Sequence, residues 1–427
     1  MKETFYYRRD YFTLYSTTYF LHSENEGCLY NTLNGDIIAL DKKQKDLLVF
    51  SESGNRIKRL NETELKFYDD LQNRMLGCYG NRFVSIEPTF WGDNYLFNKI
   101  SGDKRNFEIL QIGLETDCNY NCVFCDKDLN QVFRKTGCKR WKSNVNTKKL
   151  EVLEWNKYIR EAFQLGCNKI QIFGGEPFLQ WKLLKKIVCI CNNVGIKELE
   201  IYTNGSFLTE SILTFLSKSK VRLIIQISNL EKNKEILGTK KDINYRKILN
   251  KLNEFNIMFE ILFIVSKYNE KYIKNYIQEM KKYNFQYRLD FIYPFPINEH
   301  YSTKYKDYLL DYKRKLIRVN PLSIGDLMLK NTCYSKIICI SNEGVVYPCI
   351  MSRFVNYGVL DGKNALTDIL NDKYEELRNL NKSKINFCRN CVYRLGCVNC
   401  SAIEIAASRN LYGCKNCTLI QRKEENG

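Results

Sequence analysis

Three cysteines, Cys118, Cys122 and Cys125, stand in C-x3-C-x2-C spacing directly after the apolar run 109–114. Three closely spaced thiolates from one loop can hold three irons of a 4Fe-4S cube and leave the fourth iron open to a substrate or cofactor. Zinc would ask for a fourth Cys or His close by, usually a second C-x2-C pair, and none lies near in sequence. Coincidence is the remaining alternative in a chain with 18 cysteines.

A second motif, Gly174-Gly175-Glu176-Pro177, closes the apolar stretch 170–173. Paired glycines at a strand end let the backbone approach a ligand closely. A carboxylate beside them can accept hydrogen bonds from an ammonium group. Alone, this is an ordinary strand exit. Placed one β-α unit after a cysteine loop, it resembles the radical S-adenosylmethionine (radical SAM) enzymes. Their cysteine loop has an aromatic residue before its last cysteine, matched here by Phe124. The resemblance implies that the open iron chelates the amino and carboxylate groups of SAM. It also implies that residues 174–177 hold the methionine amino group and that Phe124 lies near the adenine.

A second cysteine constellation occupies the last hundred residues: Cys333, Cys339 and Cys349, then Cys388, Cys391, Cys397 and Cys400, then Cys414 and Cys417. So many cysteines exceed what packing asks of a small apolar residue. Disulfides suit a cytoplasmic chain without an export signal poorly. A zinc ribbon from 388/391 with 397/400 would leave 333, 339, 349 and 414 without a role. The pattern resembles the SPASM domain, whose family form binds two further 4Fe-4S clusters. Carried over by position, one auxiliary cluster takes Cys333, Cys339, Cys349 and Cys400, and the other takes Cys388, Cys391, Cys397 and Cys414. The spacing before Cys400 is one residue shorter than the usual pattern, and Cys417 is an alternative to Cys414.

These residues need elements to position them. The middle of the chain alternates strand candidates (107–115, 168–173, 198–203, 222–228, 258–265 and 286–293) with helical patterns (148–165, 178–193, 207–218, 243–255 and 268–283), which predicts a parallel sheet covered by helices. Six units suit the partial (β/α)6 barrel of the radical SAM family, with the chemistry on loops at the strand C-termini. The cysteine loop follows the first strand, Gly174-Gly175 the second, Thr203-Asn204-Gly205 the third, and Ser228 ends the fourth. By resemblance Thr203, Asn204 and Ser228 line the SAM site. Many relatives follow that serine with Asp-Gly, where this chain has Asn229-Leu230. The Lys- and Asn-rich segment 126–146 reads as a loop over the site, with Cys138 incidental. His22 and His300 read as surface residues, and Asp290 could point into the barrel.

Residues 1–100 precede the barrel. An alternating run from Phe12 to Phe20 predicts a strand, the Asn34-Gly35 turn a hairpin, and the stretches 42–50 and 61–76 two helices, with a short strand near 82–86. This order resembles the winged-helix-like domain by which peptide maturation systems bind a leader peptide as an added strand. The expected organisation is an α/β chain with a winged-helix-like domain at 1–100, a radical SAM partial barrel at 105–315 and a SPASM domain at 316–427.

The formal charge of +18 comes from scattered lysines with no basic tract interleaved with aromatics, which argues against a nucleic-acid partner. No apolar run reaches membrane-spanning length, and the expected location is cytoplasmic. The expected function is maturation of a ribosomally made peptide through a thioether or carbon–carbon cross-link. Its cofactors would be SAM, the SAM-binding 4Fe-4S cluster and two auxiliary clusters. Its partners would be a precursor peptide with its leader and an external electron donor such as flavodoxin or ferredoxin. Formylglycine formation on sulfatases is the alternative, but relatives with that activity carry an aspartate after the cysteine matching Cys349, where Ile350 stands here. A non-catalytic metal-binding regulator is a third possibility.

Overall fold

The computed structural model describes residues 9–88, 106–125, 137–140, 148–294 and 299–419. Most of the loop 126–146 lies outside these residues. The chain clusters into two compact units: Met1–Gly102 with Tyr312–Thr332 and Leu380–Asn399, and Asp103–Asp311 with Cys333–Asn379 and Cys400–Gly427.

In the first unit, strand β1 (Tyr11–Leu14) is followed by β2 (Thr18–His22), β3 (Gly27–Asn31) and β4 (Ile37–Leu40). Strands β2, β3 and β4 form an antiparallel sheet in that order. The turn before β4 needs Gly35, whose φ is +82°, a conformation most side chains resist. Helices α1 (Lys42–Glu52) and α2 (Glu62–Asn73) follow. Each opens on a capping box, from Asp41 with Gln44 and from Asn61 with Glu64, which satisfies otherwise orphaned N–H groups. Their apolar faces close a core around Phe12, Leu29, Leu48, Tyr68 and Leu71.

Two expectations need correction here. The run 12–20 is two strands, broken where the Thr18 N–H turns back to the Tyr15 carbonyl at 2.9 Å. The last strand is β5 (Gly77–Gly80) rather than 82–86, and it pairs antiparallel with β1. A Cβ on Gly77 would lie 2.5 Å from the Thr13 carbonyl oxygen and 2.6 Å from the Phe12 ring. Here glycine permits the close strand contact.

The second unit is built on β6 (Ile109–Glu115), β7 (Lys169–Gly174), β8 (Glu198–Thr203), β9 (Arg222–Ile227), β10 (Met258–Val265) and β11 (Tyr287–Phe291). The intervening helices are α3 (Val152–Gln164), α4 (Trp181–Val194), α5 (Glu210–Ser217), α6 (Tyr245–Glu254) and α7 (Ile273–Lys282). All six strands are parallel, each beside the next. The sheet continues past the expected six strands. Strand β12 (Ile337–Ser341) adds parallel to β6, then β13 (Val345–Tyr347) and β14 (Gly358–Val359) follow antiparallel. Among the described residues this makes one nine-stranded sheet.

One face of the sheet is apolar, with Leu110, Ile112, Ile170, Ile172, Leu199 and Ile201 all buried. Alternate positions on the other face form a polar ladder. Gln111 donates to Gln171 (2.9 Å), Gln171 to Glu200 (2.8 Å), and Lys169 to Glu200 (2.7 Å). Gln111 also accepts from the Ile350 N–H at 2.7 Å, so the segment carrying Cys349 is tied to the first barrel strand. Buried polar groups are tolerable when each finds a partner in this way.

Candidate functional site

The cysteine loop starts at a bulge. Gly113 faces Phe173, yet Glu115 faces Gly174, so one residue is extra in β6. The buried Glu115 carboxylate then holds the turn by accepting from the Thr116 N–H (2.7 Å), the Asp117 N–H (3.2 Å) and the Gln180 amide (2.7 Å). Nothing in the sequence singled out Glu115.

The glycine motif is zipped to the same turn. The Gly175 N–H donates to Glu115 O at 2.9 Å and the Glu176 N–H to Asp117 O at 2.8 Å. A Cβ on Gly174 would lie 2.6 Å from the Glu115 carbonyl oxygen. One on Gly175 would lie 2.1 Å from the Asp117 carbonyl oxygen and 3.0 Å from the Cys118 Cβ. The two glycines therefore allow the second strand exit to lie against the first. Pro177 opens a short 3-10 turn, Pro177–Gln180, with its fixed φ suited to that first position.

Glu176 is fully buried. Its carboxylate accepts from Thr203 Oγ (2.8 Å), the Phe178 N–H (3.1 Å) and the Asn204 N–H (2.8 Å). Burial pushes its pKa to about 7 against those three donors. The structure thus commits the carboxylate to fastening β7 to β8, where the sequence suggested that it faces an ammonium group. Gly175, one residue earlier, lines the cavity.

That cavity encloses about 520 Å³, part of it open to solvent. It gathers Cys118, Cys122 and Cys125 with Phe124, Asn204 and Ser228. The Cys118 sulfur accepts from the Tyr120 N–H at 3.4 Å and from the Asn204 amide at 3.7 Å. The loop is also stitched to the segment after β9, through the Asn121 N–H to Leu237 O (2.9 Å) and the Val123 N–H to Ile236 O (3.0 Å). Phe124 packs with Ile236, Ile264 and Ile292.

Sequence reasoning missed several wall residues. Gln226, one residue before the end of β9, accepts from the Cys138 N–H at 2.6 Å, and Cys138 itself lines the cavity beside the three motif cysteines. It was expected to be incidental. Tyr120, Arg140, Leu237 and Tyr245 complete the wall. The Gln226 Nε2 and Ser228 Oγ are buried without a partner among the described residues, and such groups ask for a polar guest. Ser228 is held through its carbonyl by Asn269 Nδ2 at 2.5 Å. His22 is exposed, whereas His300 is half-buried with its Nδ1 2.9 Å from the Tyr268 hydroxyl. Asp290 is buried on β11.

Cys333, Cys339, Cys349 and Cys400 all belong to the second unit. Cys349 is raised in pKa by burial first, and next by the charges of Cys400, Cys333 and Cys339. The four thiols assigned to one cluster are thus electrostatic neighbours. Burial alone drives Cys339 to about 12, a cost that metal ligation would offset by holding the thiolate. Among the described residues, no group of three or more His, Cys, Asp or Glu is spaced as the ligands of a single metal ion. Cys388, Cys391 and Cys397 belong to the first unit, where Cys28 on β3 stands beside Cys391. Cys414 and Cys417 belong to the second unit. There helix α8 (Ser401–Ser408) holds their segment, Glu404 accepting from the Lys415 and Asn416 N–H groups at 2.8 Å. Three converging thiols, donors on a sulfur and unpartnered polar groups fit a cluster with SAM in the cavity. The four neighbouring thiols fit an auxiliary cluster.

Residues 116–301 match the radical SAM superfamily and residues 333–392 match the SPASM iron–sulfur cluster-binding domain. Among curated proteins, an uncharacterised protein of Methanocaldococcus jannaschii is 28% identical over 171 residues, covering 38% of this chain and 54% of that protein. A GTP 3',8-cyclase of Aquifex aeolicus is 28% identical over 148 residues, covering 34% of this chain and 42% of that protein. The chain thus spans about half the length of these curated relatives. Among solved structures, Streptococcus suis SuiB superposes with a TM-score of 0.54 at 16% identity, covering 95% of this chain and 99% of SuiB. SuiB bound to its precursor peptide SuiA gives 0.51 at 18% identity, covering 92% and 96%. The structure of anSMEcpe with AdoMet and the Kp18Cys peptide gives 0.52 at 17% identity, covering 74% and 95%. At these identities the likeness establishes the fold. No helix among the described residues is long and apolar enough to cross a membrane.

Proposed function

We propose, from the premise that this chain is a radical SAM enzyme with a C-terminal SPASM domain, that it matures a ribosomally made precursor peptide by installing a thioether or carbon–carbon cross-link. The observation that carries this reading is the reach of the likeness to SuiB, which takes in 95% of the chain, against 74% for anSMEcpe. SuiB has been solved with its precursor peptide bound.

When bound, the cluster with SAM supplies a 5′-deoxyadenosyl radical, with methionine as the other product. In this reading Cys118, Cys122 and Cys125 hold three irons. Gly175, Asn204, Gln226 and Ser228 meet the polar parts of SAM. Phe124 with Ile236, Ile264 and Ile292 forms an apolar wall that excludes water from the radical. The barrel mouth positions one substrate C–H against it, since orientation supplies much of the rate. The C-terminal cysteines would hold two auxiliary clusters, Cys333, Cys339, Cys349 and Cys400 one of them, and such clusters would supply one-electron redox chemistry beside the substrate. The sheet β2-β3-β4 takes the leader peptide as an added strand at β2 or β4, its edges among the described residues. A flavodoxin or ferredoxin supplies the reducing electron.

Formylglycine formation remains the second reading, and Ile350 at the position of the expected aspartate weighs against it. Mass spectrometry of small peptides encoded beside the gene, after anaerobic co-expression, separates the two. Loss of two hydrogens per link, absent with Cys118→Ala, Cys122→Ala and Cys125→Ala combined, supports the peptide maturase. An unchanged peptide alongside confirmed SAM cleavage refutes it and favours another protein substrate.

A further inference from the structure

Cys138 lies outside the C-x3-C-x2-C motif, yet it lines the same cavity as Cys118, Cys122 and Cys125. Its segment, 137–140, is fastened to three parts of the site. The Cys138 N–H donates to Gln226 Oε1 at 2.6 Å, at the end of β9. The Lys139 N–H donates to Gly174 O at 3.2 Å, at the end of β7. Arg140 Nη1 donates to the Tyr120 carbonyl at 3.4 Å, within the cysteine loop. Burial raises the Cys118 thiol most, and after burial the charge of Cys138 weighs most, ahead of Cys125. A fourth sulfur is therefore a near neighbour of the first.

A 4Fe-4S cube ordinarily takes four cysteine thiolates, one for each iron. The motif supplies three, and Cys138 brings a fourth to the same cavity. These sulfurs are not spaced for a single metal ion, whereas a cube spreads its ligands over separate irons. The cavity has a second claimant for the open iron. Gln226 Nε2 and Ser228 Oγ, on residues only 5% and 1% exposed, have no partner among the described residues. Buried polar groups of that kind ask for a polar guest, and SAM supplies one.

We propose that Cys138 ligates the fourth iron of the first cluster until SAM displaces it. The proposal rests on the reading of Cys118, Cys122 and Cys125 as the ligands of that cluster. Ligation forms one iron–sulfur bond as the Cys138 thiol gives its proton to solvent. Displacement breaks that bond, and the thiolate takes a proton back from solvent. The amino and carboxylate groups of SAM then hold the iron. No electron moves in either direction. The device protects the one iron that lacks a ligand from the motif, and only the cofactor that needs this iron releases it.

The test follows loss of that iron from the full-length, cluster-loaded protein treated with ferricyanide. Electron paramagnetic resonance of the resulting 3Fe-4S cluster compares the parent with Cys138→Ala and Cys138→Ser. The combined Cys118→Ala, Cys122→Ala and Cys125→Ala variant gives the contribution of the other clusters for subtraction. Both Cys138 substitutions leave the main-chain ties to Gln226 and Gly174 in place. Rates are taken per loaded cluster, so lower iron content in a variant does not imitate the effect. Without SAM, both variants should lose the iron about tenfold faster than the parent, the lower end of what losing even an outer partner costs a metal site. With saturating SAM the three rates should coincide. A second reading, the resonance of the dithionite-reduced cluster without SAM, should differ between the parent and both variants. Equal rates without SAM overturn the proposal, as do identical resonances of the reduced clusters. A rate difference that persists under SAM also overturns it, because Cys138 would then act without being displaced. A parent signal no larger than that of the triple variant overturns the ligand reading, and the proposal with it.

Discussion

Gly175→Ala tests how the site is assembled. Its Cβ would lie 2.1 Å from the Asp117 carbonyl oxygen, 2.5 Å from the carbonyl carbon and 3.0 Å from the Cys118 Cβ. The obstruction is backbone, so no side chain can rotate away. Relief requires Asp117 and Cys118 to move by roughly 1 Å, a displacement of the size that can cost a reaction about 100-fold. Overpacking of this kind costs about 3 kcal/mol, the upper end for inserted methyl groups. Gly195→Ala is the control. It meets no atom within 4 Å and differs in carrying a φ of +92°, a backbone strain of about 1 kcal/mol. Both variants should melt lower than the parent. Only Gly175→Ala should lose SAM-dependent 5′-deoxyadenosine formation, by about 100-fold, and alter the resonance signal of the first cluster. Full SAM cleavage by Gly175→Ala would refute the argument that these glycines set the cysteine loop.

Three further outcomes follow from the geometry. Thr203→Val removes one of the three donors to the buried Glu176 carboxylate and should cost about 2 kcal/mol in denaturant unfolding, the scale of a hydrogen bond to a charged group, with weaker SAM binding by calorimetry. Glu200 has its pKa lowered by Lys169 and Gln171 despite the opposing effect of burial. A depressed carboxylate contributes stability above its unfolded pKa near 4.5 and loses it as pH falls through the lower folded value. Acid unfolding of Glu200→Gln should therefore be less steep below pH 4.5 than that of the parent, and identical slopes would count against the ladder. Cys339→Ser should lower the iron content by up to about four atoms per chain, the content of one cube, while 5′-deoxyadenosine still forms.

The barrel strands were legible because each is a short apolar run bounded by turn residues, and β6 to β11 fall within two residues of their expected limits. Tertiary pairing was less visible. Nothing in the sequence of 337–359 signalled that β12 would join β6, since that pairing depends on contacts far apart in the chain. Gly77 falls just past the helix expected at 61–76, yet it lies in a strand where the close packing of Phe12 requires a glycine. The site was readable where neighbours in sequence share a loop, as in Cys118 to Cys125. Glu115, Gln226 and Cys138 come together with their partners only through the fold, and single polar residues give no spacing to read. The setting of Glu176 was hidden for a related reason. Its sequence context shows a carboxylate near glycines but not the three donors that surround it.

The most direct measurement follows hydrogen from peptide to cofactor. A precursor peptide deuterated at its side chains, incubated anaerobically with the reconstituted enzyme, SAM and reductant, should yield 5′-deoxyadenosine one mass unit heavier, together with a peptide that has lost hydrogen. Unlabelled 5′-deoxyadenosine with an unchanged peptide would contradict the account, because the radical would then be drawing its hydrogen from elsewhere.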